Sequence, residues 1–96
     1  MKQSRYTKSA KGQACQVRIP TICNHNSETV VFAHLNGGGM GKKHLDIHGA
    51  YCCSACHDAV DGRMKTYINK QVRDLYLLEG MVRTQQIMVN EGILKL

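Results

Sequence analysis

All ten cysteine and histidine side chains lie between Cys15 and His57, and the 39 residues after His57 contain neither. Four of the five thiols form two pairs, Cys15/Cys23 and Cys53/Cys56; the second is a CxxC turn that runs straight into His57-Asp58. Four thiolates about 2.3 Å from one ion make a closed tetrahedral zinc site. Cys15-x7-Cys23 is wider than the usual knuckle, but Pro20 lets the chain double back. Cys52 is the spare thiol, expected in the core and pointing away from its neighbour Cys53. The competing readings are buried free cysteines acting as small hydrophobes and a disulfide framework.

The remaining polar groups suit metal-assisted hydrolysis of a phosphodiester. His57 and Asp61 are four apart, so on a helix they share one face and can hold a divalent ion such as Mg²⁺ or Mn²⁺. His34, neutral near pH 7, is the candidate general base. Asp46 can orient His34 or join the metal, and Asp58 sits about 100° around the helix from His57. Blander roles compete: His57 can ligate the zinc, His34 can be a capping residue, and the aspartates can favour a helix start. His25, His44 and His48 receive no catalytic role, although His44 or His48 can stand in for Asp46.

Certain elements must position these groups. Thr29–Ala33 is β-branched and aromatic, the best strand in the chain, and ends at His34. The glycine-rich run from Asn36 to Gly41 lacks P-loop spacing. It reads as a hairpin connection that brings Lys42 and Lys43 to backbone phosphates. Leu45–Tyr51 returns as a second strand, and Ser54 N-caps a helix to about Asp61 that Gly62 stops. If that helix crosses the hairpin, His34, Asp46, His57 and Asp61 converge. Gln13–Ile19 reads as a short strand ended by Pro20. From about Lys65 to Glu91 the pattern is helical, with Ile68, Val72, Leu75 and Tyr76 as its stripe and Gly80 as a weak point. Met81, Gln85 and Met88 can continue the stripe, the methionines as core filler. It is one long helix or a pair. Glu79 and Arg83 are spaced to pair on its surface.

Ninety-six residues bound the chain to one domain over 13–96, with residues 1–12 as a basic, flexible arm. One Phe and no Trp leave a small core, which makes a metal staple useful. Thirteen Lys and Arg against seven Asp and Glu give +6, and residues 1–18 carry five cations and no acid. That balance suits a polyanionic partner. With no signal-like apolar start and no run near the roughly 18 residues of a membrane span, the expectation is a cytoplasmic protein with reduced thiols and no membrane partner. Oligomeric state is not readable.

Ala33-His34-Leu35, the glycine loop and Cys53-Ser54-Ala55-Cys56-His57 together resemble the HNH nucleases. More closely, Cys15-Gln16-Val17-Arg18-Ile19-Pro20, Ala33-His34, the CxxCHD run through Asp58 and Leu78-Glu79-Gly80-Met81 resemble a family of small prophage-encoded proteins classed as nucleases. That family is similar in organisation to the phage RecA-dependent nucleases. The resemblance spans most of residues 11–96. It implies an α+β fold, a zinc-stapled ββα-metal core with a long C-terminal helix or helix pair, and cleavage of DNA in a bacterial host cell, with a recombinase filament as a candidate partner. It also implies His34 as base and His57 as metal ligand. Many HNH nucleases carry an acidic ligand just before the base; here that position is Ala33. The competing reading is a non-catalytic zinc module that binds DNA or a recombination protein.

Overall fold

A two-stranded antiparallel hairpin carries the frame. In the computed structural model, which describes residues 5–34, 47–62 and 66–95, β1 (Val31–His34) pairs with β2 (Gly49–Cys52). The register sets Val31 opposite Cys52, Phe32 opposite Tyr51, Ala33 opposite Ala50 and His34 opposite Gly49. Alternation puts Phe32, His34 and Tyr51 on one face and Ala33, Ala50 and Cys52 on the other. Gly49 is required by this packing: a Cβ there would lie 2.6 Å from the Phe32 ring and 2.7 Å from the Ala33 carbonyl oxygen.

Both strands are shorter than the sequence expectation. Residues 27–29 form a 3-10 turn, opened by the Asn26 side chain accepting from the Glu28 amide, so β1 starts at Val31. The second strand starts at Gly49, and the 45–46 part of its expected span lies outside the described residues.

Gln13–Ile19 is not a strand, a correction with a local cause. Arg18 adopts φ +54°, and Thr21 and His25 adopt +64° and +54°. These left-handed turns curl the chain back instead of extending it. One strand-like bond survives, from the Gln16 amide to the Tyr51 carbonyl at 2.7 Å. The Tyr51 amide donates to Thr84 Oγ1 at 2.9 Å, so both outward polar groups of β2 at Tyr51 are satisfied. Val17 and Ile19 are fully buried.

α2 (Ser54–Val60) is capped by Cys53 and not by Ser54: its sulfur accepts the Cys56 amide. Asp61 is its C-cap and Gly62, at φ +76°, ends it as expected. α3 (Lys70–Asn90) starts at Asn69, whose side chain accepts the Val72 amide at 2.9 Å. It runs unbroken through Gly80, where a Cβ would sit 2.9 Å from Val17 Cγ2 and 3.1 Å from Val17 Cα. The glycine thus marks a close approach and not a break.

The buried stripe of α3 matches the expected one at Met81 and Met88 and departs from it in the first half of the helix. It is Leu77, Gly80, Met81, Thr84 and Met88, while Val72 and Leu75 share an exposed face with Leu78 and Val82. Apolar residues occupy both faces in the first half of α3, so periodicity alone picked the wrong one there. Arg83 donates to the Gln16 carbonyl at 2.7 Å instead of pairing with Glu79.

The basic N-terminal segment is attached from Arg5 onward. α1 (Arg5–Lys8) packs on β1, Ala10 is buried, and Ser9 Oγ lies 2.7 Å from Tyr51 Oη. α3 lies along β2, and α2 touches both β1 and α3. The result is a small α+β unit whose hairpin is backed by a long C-terminal helix. Among the described residues, no helix is long and apolar enough to cross a membrane.

Candidate metal centre and the histidine end of the hairpin

The sulfurs of Cys15, Cys23, Cys53 and Cys56 all lie within 4.8 Å of one another. A tetrahedron with ~2.3 Å bonds has edges of about 3.8 Å, and Cys23 Sγ to Cys53 Sγ is 3.8 Å. This set can hold a metal ion such as zinc. Cys15, Cys53 and Cys56 are buried and Cys23 is half-buried.

Local backbone explains why four separate sulfurs meet. The left-handed residues Arg18 and His25 follow their cysteines by three and two positions, and turn amides onto the sulfurs. The Arg18 and Cys53 amides point at Cys15, the His25 amide at Cys23 and the Ile19 amide at Cys56. Such N–H···S bonds spread thiolate charge, and Cys53 gains the positive end of α2 as well. Polar ties lock the loop to the helix: Asn24 Nδ2 donates to Ser54 Oγ at 3.1 Å, and the Ser54 amide donates to Thr29 Oγ1 at 3.2 Å. Tyr67 Oη holds the Pro20 carbonyl at 2.9 Å.

Cys52 is buried as expected, but its thiol lies against Cys15 and Cys56 rather than pointing away. Protons are therefore shared unequally among the thiols. Hydrogen bonds from Cys52 and Cys56 hold Cys15 far below the ordinary thiol range. The matching bonds to Cys15 push Cys52 and Cys56 up. Burial pushes Cys23 up to about 11. An incoming cation must displace these protons, so binding releases them.

The second group lies one turn along α2 and across the hairpin. His57 Nε2 is 3.2 Å from Asp61 Oδ2, each side chain about a quarter exposed (29% and 24%). The His57 amide donates to the Cys53 carbonyl at 2.8 Å, so this pair stands on the turn that presents two cysteines. His34 is exposed at the end of β1, and its ring meets Phe32 edge-on at 4.9 Å. His48 directly precedes Gly49, the register partner of His34, and so joins the same end of the hairpin. Asp58 is exposed on α2. Asp46, Lys42, Lys43 and His44 lie outside the described residues.

Two contributors escaped the sequence reading. The His25 ring, with Nδ1 3.7 Å from Cys23 Sγ, sits beside the least buried sulfur of the cluster. Only its spacing from Cys23 signalled this. Arg73 donates to the Ala59 carbonyl at 3.2 Å, tying the C-terminal end of α2 to α3; nothing in the sequence pointed to it.

A cysteine-clustered hairpin followed by a short helix that offers a His–Asp pair, all backed by one long helix, defines a small α+β protein with four cysteines placed so that they could bind a metal. The sequence profile of the family described as "Putative nuclease YbcO" matches residues 4–93, and the chain belongs to that family. Proteins with the same description from Escherichia coli (strain K12) and Enterobacteria phage 82 are each 44% identical over 91 residues, covering 92% of this chain and 94% of theirs. A solved structure titled "Structure of a putative bacteriophage protein from Escherichia coli str. K-12 substr. MG1655" superposes with a TM-score of 0.78 at 42% identity. The match covers 91% of this chain and 99% of that one. The profile reaches further towards the N-terminus than the resemblance read over 11–96, taking in α1.

Proposed function

We propose that the chain is a phage-type, metal-dependent endonuclease of the HNH class that hydrolyses DNA phosphodiester bonds in the cytoplasm of a bacterial host. The observation that carries this reading is the His57–Asp61 pair, held at 3.2 Å on a helix whose first turn is built from Cys53 and Cys56. The nuclease description of the family and its relatives agrees with it. Zinc at the four cysteines is then structural.

In this scheme His34 accepts the proton of the attacking water, a role worth about 10²–10⁴-fold. Its edge contact with Phe32 holds the ring at the end of β1. His57 and Asp61 offer one nitrogen and one oxygen ligand. A divalent ion such as Mg²⁺ or Mn²⁺ bound there would stabilise charge on the scissile phosphate and the departing 3′-oxygen. Ala33 is 1% exposed and opposite Ala50, so no carboxylate stands beside the base on β1. Asp61, and Asp46 as a second carboxylate, take that part. Lys42 and Lys43 hold backbone phosphates.

The test is cleavage of plasmid and single-stranded DNA with Mg²⁺, Mn²⁺ or Zn²⁺, alone and on a recombinase filament. Wild type cuts, and His34→Ala cuts about 10²-fold less or worse while keeping its zinc, fold and DNA affinity. Ala33 favours one alternative, a zinc module that binds DNA or a recombination protein without cutting. Wild type that binds DNA and cleaves none of these substrates establishes that module in place of the enzyme.

A further inference from the structure

A cleft of about 560 Å³ opens between α1 and β1, with Thr7, Lys8 and Lys11 on one wall and Val30, Val31 and Phe32 on the other. That volume falls within the ~300–1,000 Å³ of typical ligand sites. Its chemistry is divided. The rim carries two exposed ammonium groups and the lining has no carboxylate, while the opposite wall is apolar. A sugar–phosphate strand presents the matching division, with anionic phosphates along one edge and sugars and bases along the other.

Two further observations make this more than a pair of surface lysines. The turn bearing them is fixed by the fold: Ala10 is buried, Ser9 Oγ is 2.7 Å from Tyr51 Oη, and the Lys11 amide donates to the Lys8 carbonyl at 3.4 Å. Phe32, the inner wall of the cleft, is also the ring against which His34 packs at 4.9 Å. Phe32 shares its face of β1 with His34, so this side of the cleft leads on to His34.

We propose that this cleft seats one strand of the nucleic-acid substrate, with Lys8 and Lys11 on successive phosphates and Val31 and Phe32 against a sugar or base, and delivers that strand to His34. The proposal rests on the nuclease reading and adds to it the element that positions the substrate. α1 thereby becomes part of the binding surface rather than a loose basic tail.

The experiment is fluorescence anisotropy of full-length, zinc-loaded protein with a labelled 20-nucleotide single strand, titrated across a salt series. Lys8→Ala/Lys11→Ala is compared with Lys70→Ala/Lys95→Ala, which removes the same charge from α3 and the C-terminal tail. Loss of two phosphate contacts lowers the log–log salt slope by about 1.4 units, at ~0.7 per phosphate of a single strand, while the control pair leaves it unchanged. Val31→Asp weakens binding and Val31→Asn does not. Melting temperature and zinc content stay at wild-type values throughout. Equal slopes for wild type and the Lys8/Lys11 variant overturn the proposal, as does an equal fall in the control. Either result leaves the nuclease reading standing where wild type still cleaves. Wild type that shows the slope change but never cleaves keeps the cleft and removes the enzyme. An acidic peptide that binds Lys8 and Lys11 when the oligonucleotide does not overturns the assignment in favour of a protein partner.

Discussion

The cysteine cluster and the His57–Asp61 pair are neighbours on α2, yet they are built on opposite principles. Three of the four clustered sulfurs are buried and accept directed amides; left-handed residues bend the loops to provide them. His34 is exposed, and His57 and Asp61 are about a quarter exposed. Structural metal sites are closed by four protein ligands, whereas catalytic ones keep positions open for water and substrate. The two regions meet in one bond, from the His57 amide to the Cys53 carbonyl at 2.8 Å. The four-cysteine cluster thus underlies the turn that carries the more open His57–Asp61 pair.

Removing the cluster's ion is the most drastic way to break this comparison. Strong chelation, or Cys53→Ser, is expected to unfold the protein, since a structural zinc contributes on the order of 10 kcal/mol in domains of this kind. Circular dichroism alongside metal analysis checks it. A chelated protein that keeps its far-ultraviolet signal and melting temperature shows that the cluster is not the staple.

Substitutions at the open end act on rate and leave the fold alone. Under the proposed roles, excess Mn²⁺ is expected to restore part of the cleavage activity of His57→Ala, a lost ligand, and none of that of His34→Ala, a lost base. Each lowers the rate by about 10²-fold or more at low metal. Rescue of both, or of neither, would erase the distinction between ligand and base.

The smallest expected effect lies behind both regions. Thr84→Val keeps the volume but strands the buried Tyr51 amide that Thr84 Oγ1 accepts at 2.9 Å. The cost is about 1–3 kcal/mol in a denaturant melt. Cleavage by the folded fraction is unchanged. A loss of zinc in this variant would show that the β2 edge and the cluster form one cooperative unit.

Part of this molecule was legible from residue types alone. Cysteine has few roles in a small basic chain, so the two pairs pointed to one shared cluster before any geometry was known, and the four sulfurs do come together. The CxxCH run placed His57 one helical turn from Asp61 because helix periodicity is local physics. A strand ending at His34, a helix stopped at Gly62 and a long C-terminal helix were likewise written in propensity and punctuation.

Tertiary contacts decided the rest. Gly80 read as a weakness because its propensity is low, but Val17 needs its missing side chain. Met81 and Met88 were legible from spacing, but the first half of the α3 stripe was misassigned because both helix faces carry apolar residues, and only packing selects Leu77 and Thr84. Gln13–Ile19 has strand-like residues, but Cys15 and Cys23 must reach Cys53 and Cys56, and the turns at Arg18 and Thr21 that allow it override local preference. Ser9, Ala10 and Tyr51 converted a basic tail into one wall of a cleft through contacts 42 residues apart in sequence. The sequence by itself determined which side-chain types are available for metal or proton chemistry. Which of them share a surface was decided by long-range packing, because burial depends on partners that no local window contains.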